Sequence, residues 1–117
     1  MFIFEAITDS ENHQEISASC QILPEHDFFK GHFTGQPLMP AAAQLQMIDT
    51  FLQSQRGWQG KILGGKNLKF IQRILPNDLV CLHLIRQEKN TIQFTLHNNH
   101  AVLASKGTLQ LGRCPHG

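Results

Sequence analysis

An α+β fold, one antiparallel sheet wrapped around a single long helix, is predicted for this 117-residue chain by three observations. Only residues 40–56 carry apolar residues at helical spacing; the remaining patterned segments alternate with the period of a half-buried strand. The order is two strands, the helix, then four strands, with no βαβ alternation and no internal repeat. The length suits one domain with a single core, placed at residues 1–112, followed by a tail at 113–117.

In "HQEISASCQIL" the residues Ile16, Ala18, Cys20 and Ile22 share one face, and Phe2 to Ile7 supply a shorter partner strand. After Pro24 strand character is lost. The stretch from Asp27 to Pro40 holds two glycines, two prolines and three phenylalanines, an unusually apolar loop. The helix then runs over 40–56, with Met39 as its cap, Pro40 in the first helical position and Gly57 just past the end. On a projection at about 100° per residue, Ala41, Leu45, Ile48 and Leu52 cluster, and Met47 and Phe51 extend the same apolar arc. From Lys61 the chain reads "KILGGKNLKFIQ", "LVCLHLIRQE", "TIQFTLHNN" and "AVLASKGTLQLG", divided by Pro-Asn-Asp, Lys-Asn and Asn-Asn-His turns. The last three strands are expected to form an antiparallel meander.

Ten Lys and Arg against nine Asp and Glu leave a formal charge of +1, which offers no field for nucleic acid or an anionic membrane surface. No stretch is long enough to span a bilayer, and "MFIFEAITDS" lacks the basic start and cleavage site of a signal peptide. Cys20, Cys81 and Cys114 form no C-x-x-C pair. They read as reduced thiols of a cytoplasmic protein, two in strand cores and one in the tail.

The chemistry concentrates in "FFKGHFTGQPLMPAAAQLQMID", residues 28–49. Met39 has no side-chain acceptor, so the amides of Ala41 to Ala43 remain available at the positive end of the helix dipole. Such amides can hold a carbonyl oxygen that becomes negative during a reaction. His32 lies eight residues before Pro40 in a glycine-flanked loop able to fold back on the helix start. Imidazole and amides together would suit proton transfer at the carbon next to a carbonyl.

"GHFTGQPLMPAAAQLQ" resembles the active-site loop and central helix of the hotdog-fold β-hydroxyacyl-carrier-protein dehydratases of the FabA/FabZ type. The match runs without a gap through His32, Phe33, Gly35, Pro37, Met39 and Pro40. "NLKFIQRILPNDLVCLHL" is similar to a second strand-turn-strand of that family, and the Gln-Leu after the motif looks most like its ApeI-like branch. The resemblance implies a hotdog fold and removal of water from 3-hydroxyacyl thioesters held on acyl carrier protein or CoA. It implies a dimer whose tunnel lies at the interface, with no metal and no cofactor. Carried over, His32 is the base and the backbone amide of Ala41 the oxyanion donor, with Phe33, Gly35 and Met39 completing the substrate site. Ala41 stands where the family has glycine, and its Cβ would be costly if that position needed a positive φ.

One departure bears on the reaction. The family's acidic helix position falls on Gln46, whose carboxamide can orient a hydroxyl but cannot protonate it at neutral pH. His32 could carry out both proton transfers; Asp49, about 60° further round the helix, could replace the acid; or dehydration could be lost. The last two possibilities leave open a hotdog thioesterase, with His32 or Asp49 activating water, and a non-catalytic acyl-thioester-binding or partner subunit. Gln46, Asp49, Thr50 and Gln53 also read simply as a solvated helix edge, and Gln44, inside the apolar arc, as a tie to sheet or loop. His26 and Asp27 could orient the loop; His83, His97 and His100 read as strand and turn residues, without ligand spacing for zinc.

Overall fold

The structure, a computed structural model, describes residues 2–29, 38–88, 90–99 and 101–112. Its elements are β1 (Phe4–Asp9), β2 (Glu15–Gln21), α1 (Ala41–Ser54), β3 (Lys61–Phe70), β4 (Leu79–Arg86), β5 (Thr91–His97) and β6 (Leu103–Gly112). All six strands join one antiparallel sheet in the order β1-β2-β4-β5-β6-β3, and the expected meander is β4-β5-β6.

The concave face follows from strand alternation. Ile16, Ala18 and Cys20 of β2 line up with Val80, Leu82 and Leu84 of β4, then with Ile92, Phe94 and Leu96 of β5. All of these are buried, and β6 adds Ala104, Leu109 and Leu111. Since period-two alternation sends intervening residues outward, Cys81 is exposed on the convex face. Its expected place in a strand core is therefore corrected; Cys20 alone of that pair is buried, and burial raises its thiol pKa. Cys114 lies outside the described residues.

Helix α1, about 21 Å long at 1.5 Å per residue, lies against this face. It begins at Ala41 and ends at Ser54, two residues short of the expected end, because Gln55 leaves helical geometry and Gly57 takes φ +88°. Its buried residues are Ala43, Gln44, Met47, Ile48, Phe51 and Leu52. The buried face is thus rotated from the expected arc toward Gln44 and Phe51, leaving Ala41 exposed and Leu45 at the margin. Phe51 has no exposed surface, and its ring lies 4.8 Å from that of Phe4. Phe51→Ala should remove about 3–5 kcal/mol of stability through lost burial and a residual cavity. A lower urea midpoint at unchanged slope would register this.

Two further ties set the frame. Trp58, just beyond α1, donates from Nε1 to Asp9 Oδ1 at 3.0 Å, and the Arg86 guanidinium stacks 4.6 Å from its ring centre. This holds the end of the helix to β1 and β4. At the opposite side Gly107 lets Leu68 and Phe94 close over β6; a Cβ there would sit 2.4 Å from Leu68 Cδ2. Asn67, at φ 56°, occupies the irregularity in β3 that brings Leu68 inward.

Candidate active site

The segment entering α1 is fixed by backbone bonds. Met39 N–H donates to the Ile74 carbonyl at 2.8 Å, and both side chains are buried. Pro40, with φ −66° and ψ 158°, is itself the cap residue, so the helix starts one position later than expected and Met39 lies outside it. The correction follows from proline's fixed φ combined with an extended ψ, which permits a cap as readily as a first turn. The consequence for chemistry is unchanged: Pro40 has no side-chain acceptor and makes no capping bond. The Gln44 N–H donates to the Pro40 carbonyl at 3.0 Å, and the amides of Ala41 to Ala43, which an α-helix leaves without an intrahelical acceptor, have no partner among the described residues. Ala41 and Ala42 are exposed. Ala41 is helical, so the methyl that replaces the family's glycine hydrogen meets no positive-φ penalty.

The polar residues of α1 separate into different surroundings. Gln44 is 4% exposed; its Nε2 donates to the Met39 carbonyl at 3.2 Å, while Oε1 is buried with no partner among the described residues. Sequence reasoning expected such a tie to the loop, and this one braces the backbone immediately before the helix. Gln46 and Thr50, one turn apart, are exposed on a common face. Asp49 is half-buried on the other side of that stripe, where Oδ1 lies 3.5 Å from Gln53 Nε2. Gln53 in turn donates to the Gly60 carbonyl at 2.6 Å.

Gln46 and Thr50 form one side of an open cleft of about 580 Å³. The facing wall is aromatic: Phe2 from the start of the chain, and His26 and Phe28 from the turn Asp27–Phe29 and the residue before it. The His26 ring stacks on Phe2 at 4.9 Å and on Phe28 at 4.7 Å between centroids. Phe29 turns into the core behind them. Glu25 and Asp27 lie at the rim, whereas Asp49 does not line this cleft. The structure therefore joins Gln46 with His26, a pairing the sequence did not suggest, and holds Asp49 apart.

Burial lowers the His26 pKa from its ordinary value of 6.5, so the ring is neutral at pH 7. A titration of its ring protons by NMR should give a midpoint below 6.5. Linkage fixes the sign for stability: the unfolded chain binds this proton first, so His26 makes folding less favourable as pH falls through 6.5 and below. His26→Phe should flatten that part of the stability profile.

His32, Phe33 and Gly35 lie outside the described residues, as does Pro37. The comparisons bear on them through the family. The sequence profile of the ApeI-like family, ApeI dehydratase, matches residues 8–108, a span that includes the His32 motif, α1 and the four complete strands β2 to β5. The chain belongs to the ApeI-like dehydratase family. It is 26% identical over 103 residues to the 3-hydroxyacyl-[acyl-carrier-protein] dehydratase FabZ of Ehrlichia chaffeensis, covering 81% of this chain and 71% of the relative. Among solved structures, an uncharacterized protein from Erwinia carotovora subsp. atroseptica superposes with a TM-score of 0.81 at 28% identity, covering 95% of each chain. The dehydratase heterocomplex ApeI:P from Xenorhabdus doucetiae gives 0.82 at 24% identity, over 97% of this chain and 99% of that one, and at that identity supports the fold. Membership and superposition together establish the hotdog fold expected for this ApeI-like protein.

Proposed function

We propose that this ApeI-like protein removes water from 3-hydroxyacyl thioesters carried on acyl carrier protein or CoA. The observation that supports this most is the uncapped first turn of α1, whose amides have no partner among the described residues and follow directly on a segment bearing the family's histidine motif. The thioester oxygen accepts from the Ala41 N–H and is stabilised as it gains enolate character. His32 removes the α-proton. The bond from C3 to its hydroxyl oxygen then breaks, a double bond forms between C2 and C3, and the same imidazolium returns the proton to make water. This single-base route avoids asking Gln46 for a proton it does not have.

We assign the working unit as a dimer. Strand β3 is at the edge of the sheet, pairing only with β6 among the described residues, and exposes Leu63 and Phe70, with Ile71 exposed just beyond its end. Such an edge invites a second strand. A homodimer is the simplest occupant, and the heterocomplex formed by the Xenorhabdus protein makes a related subunit the alternative. No helix among the described residues is long and apolar enough to cross a membrane, which fits a substrate presented by a carrier in the cytoplasm.

The direct test is to mix the purified protein with 3-hydroxyacyl carrier protein and follow the 2-enoyl thioester by absorbance and mass spectrometry. Enoyl formation is the expected result. Free thiol released from acyl-CoA, without enoyl product, would replace the proposal by a thioesterase. Carrier binding without turnover, with or without a partner subunit, would replace it by a binding role.

A further inference from the structure

We propose that the outward face of the sheet binds a phosphate group in a groove built from Lys66, Thr108 and Gln110 around the bare surface of Gly64. The groove is on the side of the sheet opposite α1, apart from the cleft at Gln46, and owes nothing to the dehydratase reading. Strand register assembles it. Leu109 and Leu111 are buried in the core, so Thr108 and Gln110, which alternate with them along β6, point outward. Thr108 is directly opposite Lys66 of β3, and Gln110 is flanked by Gly64 of β3 and Thr91 of β5. A Cβ added at Gly64 would meet nothing within 4 Å, so this position is a gap in the row of side chains. The gap opens into a groove of about 240 Å³ lined by Gly64, Gly65, Lys66, Thr91, Thr108 and Gln110.

The lining selects an anion. It brings together an ammonium, a hydroxyl and a carboxamide and contains no carboxylate among the described residues. Thr91 forms a wall rather than a donor, because its own hydroxyl already donates to the Glu88 carbonyl at 3.2 Å. Donors on several sides of a gap suit an ion with acceptor oxygens in several directions. A tetrahedral phosphate has them, whereas a carboxylate offers two oxygens in one plane. The neighbouring row of the same face points the same way. Lys69 and Lys106 are exposed and directly opposite one another across β3 and β6, a placement of like charges that destabilises a sheet. Neither has an ion-pair partner among the described residues. A dianion held by Lys66 beside them offsets that repulsion. The phosphate can be free or part of a nucleotide; the groove recognises the group they share.

The test is titration of the full chain with inorganic phosphate at constant ionic strength, followed through backbone amide NMR signals. Saturable shifts centred on Gly64, Lys66, Thr108 and Gln110 are expected, with a Kd on the order of a millimolar for one exposed cation and two neutral donors. Lys66→Gln should weaken binding by about tenfold, the worth of a charge-assisted hydrogen bond. Gly64→Val leaves every charge in place but fills the gap, and should weaken binding at least as much; Gly64 is not at positive φ, so the strand accepts the side chain. Lys69→Gln should cost only about twofold to threefold, since it acts through space. Arg56→Gln removes the same charge beyond the end of α1 and should change nothing. Adenosine 3′,5′-bisphosphate distinguishes the sources: affinity tenfold or more above that of inorganic phosphate at the same amides assigns a nucleotide phosphate, and equal or lower affinity assigns the free ion. Shifts spread over all the lysines without saturation, an unaltered affinity in Gly64→Val, or equal effects of Lys66→Gln and Arg56→Gln would overturn the inference.

Discussion

His32→Ala should lower kcat for dehydration by on the order of a thousandfold while leaving the affinity for 3-hydroxyacyl carrier protein within a fewfold of wild type. A positioned general base typically supplies 10²–10⁴ in rate, and here one imidazole is assigned both the removal and the return of the proton. The upper half of that range is therefore expected. Substrate contacts from the Ala41 amide and the cleft remain in the variant, so ground-state binding has no reason to collapse. The split between kcat and KM separates this from a general loss of structure, and an unchanged urea midpoint would reinforce it. A variant within tenfold of wild type would remove His32 from the role of base.

The strands and the helix were legible because burial imposes a period on the sequence. Ile16, Ala18, Cys20 and Ile22 have only one apolar face to offer, and all four are buried. Strand β4 offers two: Val80, Leu82 and Leu84 on one side, Leu79, Cys81 and Ile85 on the other. There the choice of inward face is made by pairing with β2 and β5, which the sequence of β4 alone does not contain. A similar limit applied to α1. Gln44 falls inside the apolar arc and is buried there, its amide donating to the Met39 carbonyl, but which edge of that arc turns inward is set by packing against the sheet, and Ala41 is left exposed.

The site was legible in part for the same reason. The uncapped helix start is read from Met39, one residue early, and the reading survives because the true cap, Pro40, also has no side-chain acceptor. The aromatic wall is not local. Phe2, His26 and Phe28 reach Gln46 only through the packing of the first strand and the turn after β2 against the helix. Their stacked rings had no expression in spacing, although His26 and Asp27 could be singled out beside the motif.

Gln46→Glu should accelerate dehydration by about tenfold to a hundredfold, the lower part of what general acid catalysis supplies, because His32 already provides a slower route for the same proton. The added carboxyl would face the cleft beside Thr50 and His26, at the helix position where the family carries its acid. It works only when protonated, so the gain should be greatest at low pH and disappear as pH rises through its titration. Asp49→Asn provides the contrasting outcome. Asp49 is directed toward Gln53, away from the cleft, and its amide should change the wild-type rate by less than about twofold, as expected for a side chain that transfers no proton. If Gln46→Glu brought no gain and Asp49→Asn silenced the enzyme, the proton would have to arrive from Asp49, and the single-imidazole route would fail.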